Sequence, residues 1–174
     1  MRKLLKVFAV LAVLAAPAAA LDVTAVSPAG IKGAAKGDFS FGPVTVKSVA
    51  WEKGAVVLPQ TENKGKKYSD IKLLSKSLYG KLENCFKNGW AKPAKAPVPP
   101  KVKVDALKPL RSPVRVANAE LSFDGELVAV AGVMVSKKEE GAFWVAFPPD
   151  LVFTDGAFKA AVESAVIAAW TKKK

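Results

Sequence analysis

Apolar and polar residues alternate along several short stretches of the chain. Phe39 and Phe41, Val44 and Val46, and Val114 and Val116 repeat with a period of two, the spacing of a strand with one buried face. The phase slips between Val116 and Ala119, after which Ala119, Leu121 and Phe123 carry the apolar side. A one-residue slip with no turn signal predicts a β-bulge. Asp124-Gly125 predicts a tight hairpin, because a type I′ turn needs positive φ at both central residues. The run Leu127 to Val135 is apolar throughout and predicts a central strand covered on both faces.

Two stretches carry helical periodicity instead. Ile71, Leu74, Leu78, Leu82 and Cys85 fall within about 80° on a helical wheel, with Phe86 at the edge and Lys72, Lys76, Glu83 and Lys87 opposite. Ser69 would be the N-cap of this half-buried helix. The second helix, Phe158 to Trp170, has only Lys159, Glu163 and Ser164 as clearly polar positions. Such a helix should be covered on more than one side. Val162, Val166 and Trp170 would anchor it at an intrachain or dimer interface, with Ala161, Ala165, Ala168 and Ala169 allowing close approach.

These elements fall into two similar series. The first runs from a β-prone Asp22–Val26 through Asp38–Gly42, Val44–Trp51, a turn at Glu52-Lys53-Gly54 and Ala55–Pro59 to the first helix. The second runs from Val102–Leu107 through Glu120–Gly125, Leu127–Val135, a turn at Lys137–Gly141 and Ala142–Pro148 to the second helix. Internal duplication is the economical explanation. Between them, Trp90 to Lys101 reads WAKPAKAPVPPK, a proline-spaced segment that favours extended, semi-stiff backbone. The expected organisation is therefore a unit at 21–90, a linker at 91–101 and a second unit at 102–174. Each unit is small for an independent domain, so the two should share a core or pack face to face.

The first 20 residues form a separate segment. Arg2, Lys3 and Lys6 precede an apolar run from Val7 to Ala16, and Pro17-Ala18-Ala19-Ala20 ends in the small-x-small pattern of a signal-peptidase site. The run is far shorter than the ~20 residues that span a bilayer, and no cysteine follows for lipid attachment. Residues 1–20 thus read as a signal peptide, with export to the periplasm or exterior and a mature N-terminus at Leu21.

Composition narrows the function. The chain has 174 residues, 51% apolar and 24% charged, with 27 Lys+Arg against 15 Asp+Glu. That is globular composition with a strong basic excess. The excess lies mostly in residues 21–100, which hold 13 lysines and six acids, against 11 basic and nine acidic residues in 101–174. Without histidine, and with Cys85 as the single cysteine, neither an imidazole-based catalytic pair nor a histidine or all-cysteine metal site can be built. The expectation is a non-enzymatic protein without cofactor or metal. Ser69-Asp70-Ile71-Lys72 matches the Ser-x-x-Lys signature of serine penicillin-binding enzymes, but the companion motifs are absent and the chain is too short for that fold. Cys85, on the apolar stripe of the first helix, reads as a buried structural thiol, with an intermolecular disulfide as the alternative. Trp51, Trp90, Trp144 and Trp170 read as core or interface anchors.

The strongest chemical signal is basic. Lys64-Gly65-Lys66-Lys67 reads as a flexible loop running into the first helix, whose outer face adds Lys72 and Lys76, with Lys81 a further candidate on the same helix. Helix N-termini and clustered lysines hold phosphate groups. These six lysines are the candidate polyanion site; the alternative is a solvated loop and helix face.

The order of motifs resembles the stage V sporulation protein G family, the SpoVG septation regulators. Gly54-Ala55-Val56-Val57-Leu58-Pro59 and Gly141-Ala142-Phe143-Trp144-Val145-Ala146-Phe147-Pro148 are similar to that family's Gly-[LF]-F-V-x-[MF]-P edge. Tyr68-Ser69-Asp70-Ile71 is similar to its F-R-D-I segment, and Gly80-Lys81-Leu82 to its G-K-[IL] motif. The resemblance covers nearly all of residues 22–88 and the strands of 102–148. It implies an α+β fold in which each unit is a small antiparallel sheet followed by one helix, with Tyr68 in the core. It also implies dimers, so that a tandem chain would form an intrachain pseudo-dimer as a monomer, or else a homodimer. Nucleic-acid binding and a role in septation are implied by resemblance only. The family's arginine is Ser69 here, and its members are cytoplasmic. The expected function is an exported SpoVG-like binding or regulatory protein. The alternative is a structural cell-envelope protein whose basic first half meets anionic polymer or lipid headgroups.

Overall fold

The chain folds as an α+β protein, in a computed structural model that describes residues 20–94 and 96–173. The expected signal peptide, apart from Ala20, lies outside the described residues, as does Lys95 of the proline-spaced segment. The first half contributes β1 (Ala25–Ser27), β2 (Lys36–Phe41), β3 (Val44–Glu52), β4 (Ala55–Val57), β5 (Thr61–Asn63), β6 (Lys66–Tyr68), β7 (Ile71–Leu73) and α1 (Lys76–Asn88). The second contributes β8 (Val102–Pro109), β9 (Arg115–Phe123), β10 (Leu127–Val135), β11 (Phe143–Ala146), β12 (Leu151–Phe153) and α2 (Gly156–Lys173).

Two five-stranded antiparallel sheets result, and each takes its fifth strand from the other half. In the first sheet β1, β2 and β3 lie side by side, and the far edge of β3 pairs with β4 at one end and β12 at the other. In the second, β8, β9 and β10 lie side by side, and the far edge of β10 pairs with β11 at one end and β7 at the other. The exchange is reciprocal down to single hydrogen bonds. Val130 donates its N–H to Asp70 O at 2.7 Å, and Lys47 donates to Asp150 O at 2.8 Å. Leu74 N–H donates to Glu126 O at 2.7 Å, as Thr154 N–H does to Pro43 O at 2.9 Å.

This arrangement shifts the first helix relative to its expected start. Ile71–Leu73 is a strand, because the backbone of Leu127–Ala129 at the edge of β10 offers it a ladder that an isolated helical turn cannot match. Leu74 is consequently 62% exposed, and the N-cap is Ser75 rather than Ser69, its Oγ accepting from Leu78 N–H at 3.2 Å. From there the apolar stripe holds: Leu78, Leu82, Cys85 and Phe86 are buried. Phe86 stacks on Trp51 at 5.6 Å between centroids and meets Phe39 at 5.3 Å.

Other expectations match. The β9–β10 register skips Val116, placing a bulge where the sequence phase slips. Asp124 and Gly125 have φ of 49° and 70°, and Glu126 N–H closes the turn onto Phe123 O. Helix α2 buries Val162, Val166 and Trp170. Its opposite face, Ala160, Ala161, Ser164, Ala165 and Ala168, is exposed, contrary to the expected second cover. Alanine methyls leave little apolar area in water while favouring the helix, so one buried face suffices. One continuous core joins both sheets and both helices. Phe153, on the strand β12 that completes the first sheet, meets Phe123 of the second sheet as well as Phe147 and Phe158.

Candidate polyanion-binding surface

The basic segment forms a hairpin rather than a loose loop. Lys64 and Gly65 have φ of 51° and 72°, the pair of positive values a two-residue type I′ turn requires, and Asn63 pairs with Lys66 across it. Strands β5 and β6 pair only with each other, and residues 62–69 are all exposed. Tyr68 is 46% exposed and not a core residue, because no second layer covers this hairpin.

The six candidate lysines lie on three parts of the fold. Lys64, Lys66 and Lys67 share the hairpin. Lys72 is exposed on β7 rather than on a helix, opposite Val128, which in turn faces Ser122 and then Lys103. Lys76 is the exposed first residue of α1. Lys81 is occupied: its Nζ donates to Leu21 O at 2.7 Å and pairs with Asp22, which ties α1 to the segment ahead of β1.

The outer face of the second sheet, with Lys72 at its edge, holds residues that sequence reasoning missed. Arg115, Met134 and Trp144 lie in one cross-strand row, and Asn118, Gly132 and Ala146 in the next. The Arg115 guanidinium lies over Gly132, where an added Cβ would fall 2.7 Å from Nε. Arg115 Nε and Asn118 Oδ1 are buried and lack a protein partner, and Trp144 is 49% exposed rather than an anchor. Lys108 pairs with Glu120 at 2.6 Å, and Lys103 with Asp105 at 3.1 Å. A hydrogen bond from the Ser122 hydroxyl, then one from Lys103, hold the Asp105 carboxyl below its ordinary range. An exposed indole on the same sheet face as cations and an amide offers a ring for stacking and charges for an anionic ligand. The sequence signal is the alternation of Arg115, Asn118 and Glu120, obscured by the bulge at Val116.

The remaining features are not chemical centres of that kind. A cleft of about 220 Å³ runs between the proline segment and the ends of β1 and β2, lined by Leu21, Thr24, Phe41, Val98, Pro99 and Asp124 among others. Cys85 is buried, and burial pushes its thiol pKa up. Among the described residues no group of His, Cys, Asp and Glu could hold a metal ion, and no helix is long and apolar enough to cross a membrane. No protein-family model, curated protein or solved structure gives a significant match to this chain.

Proposed function

We propose that the chain is an exported, non-enzymatic binding module made of two tandem SpoVG-like units folded as an intrachain pseudo-dimer, with a cationic surface that holds an anionic polymer. The duplication is supported by the reciprocal exchange of β7 and β12 and by matching helix registers. Leu78, Leu82 and Phe86 on α1 correspond to Phe158, Val162 and Val166 on α2, each series starting three residues after a side-chain cap.

The binding role rests on one observation: a hairpin with three lysines, exposed along residues 62–69, that leads directly into the strand carrying Lys72. Such a hairpin gains little from burial and keeps like charges together, an arrangement suited to a polyanionic partner. The partner's phosphates would meet Lys64, Lys66, Lys67, Lys72 and Lys76, with Trp144 and Arg115 on the adjoining sheet face.

The test is a salt titration of binding to single-stranded DNA and to polyglycerol phosphate. Replacing the five lysines with glutamine should abolish binding and leave the melting temperature unchanged. Replacing one lysine that meets a phosphate should flatten the slope of log K against log salt by roughly one unit. Preference for DNA favours the SpoVG-type activity, and preference for the envelope polymer favours a structural role there. Binding unchanged in the five-lysine variant would mean that the lysines form only a solvated surface.

A further inference from the structure

Leu21, the first residue after the signal-peptidase pattern, is part of the core. Its side chain is 3% exposed, and its backbone nitrogen sits 2.5 Å from Oε2 of Glu126, beyond the β9–β10 turn. Its carbonyl oxygen accepts from Lys81 Nζ on α1. The chain start is thus held at both polar atoms by charged side chains from two different elements. In the uncleaved chain that nitrogen is a neutral amide with one proton to give.

We infer that cleavage after Ala20 creates the intended partner of Glu126. Hydrolysis of the Ala20–Leu21 amide by a signal peptidase adds water across the bond. Ala20 leaves as a carboxylate, and Leu21 keeps an amine that takes up a proton at neutral pH. The neutral donor at Glu126 becomes an α-ammonium, and the hydrogen bond becomes a partly buried ion pair. The buried Leu21 side chain is out of reach of a protease in the folded chain, so cleavage precedes docking. The new terminus then seats as the fold completes and locks β1 against the β9–β10 turn of the other half.

The surroundings favour the cation. Glu126 faces it directly; Asp124 and Lys101 line the same cleft, and Asp124 Oδ1 is occupied by Lys101 N–H at 2.9 Å. Lys81 brings a like charge to the Leu21 carbonyl, and Asp22 pairs with it. The amine should therefore titrate above its free value. A raised native pKa stabilises the fold fully below the unfolded value of about 7.7–8.0, and this contribution is lost as pH rises through the native value.

This inference rests on the export reading, and the experiment separates the two. The chain starting at Leu21 is released from a cleavable fusion with a free amine, or made with an acetylated one, which keeps the N–H donor and removes the charge. The free form should melt several degrees above the acetylated form at pH 7. The gap should close in Glu126→Gln and at a pH well above the amine's pKa. NMR titration of the Leu21 amine should give a pKa about one unit or more above the free range. An amine that titrates at its free value, or a gap that persists in Glu126→Gln, would overturn the pair. The N-terminal mass of protein from its native host tests export separately: retention of residues 1–20 would remove the processing step, whatever the recombinant chain shows.

Discussion

At the scale of single residues, Ser75 and Asp155 occupy the same place in the two halves. Asp155 Oδ1 accepts from the N–H groups of Ala157 and Phe158 at 2.8 and 3.0 Å, as Ser75 Oγ does from Leu78. Ser75→Ala and Asp155→Ala should each cost about 1 kcal/mol, measured by denaturant melts, whereas Ser69→Ala should leave stability unchanged. Cys85 should resist a thiol reagent in the native protein and react once it is unfolded, since burial keeps the thiol protonated and covered. Asp105 makes a small pH-dependent contribution. Its depressed native pKa means this is complete above the unfolded carboxylate range and fades as pH falls through the native value. Asp105→Asn should flatten that acid-side slope slightly, because the pair is partly open to solvent. Tyr68, expected in the core from the family resemblance, and Trp144, expected as an anchor from its residue type, are both largely exposed, because neither a motif nor an aromatic ring says which face of a strand the rest of the molecule covers.

At the scale of elements, the strands and the second helix are legible because their signals are local. Positive φ at Asp124-Gly125, the slipped phase at Val116, and the spacing of Val162, Val166 and Trp170 each depend on neighbours within a few residues. The segment Ile71–Leu73 is not legible. Ile71, Leu74 and Leu78 fit a helical stripe, yet Ile71 and Leu73 also fit a strand, and an open edge on β10 far along the chain decides between them. The candidate site inherits that ambiguity, since Lys72 fits a helix face by periodicity and lies on a sheet. The basic character of Lys64–Lys67 is legible and its hairpin geometry is not, although Lys64-Gly65 carries a turn signal of its own. Trp170 meets Phe143 edge-on at 6.3 Å and is 7% exposed. Trp170→Ala should cost about 3–5 kcal/mol, lowering the melting temperature by on the order of 10 °C and opening dye-binding sites. Substituting Ala161 or Ala165 with serine, on the exposed face of α2, should change it little.

At the scale of the whole molecule, the exchange of β7 and β12 makes each half incomplete alone. Removing one half would leave part of an edge of β3 or β10 unpaired and uncover the core that both halves build together. The proline segment keeps both partners on one chain, so that docking becomes an intramolecular step with a high effective concentration. The most direct test is equilibrium melting of residues 21–95 and 96–174 as separate chains, alone and mixed, over a range of concentrations. Interlocked halves predict that neither folds as a monomer, and that an equimolar mixture recovers a cooperative transition whose midpoint rises with concentration. A half that melts cooperatively as a monomer, at a midpoint independent of concentration, would contradict the account.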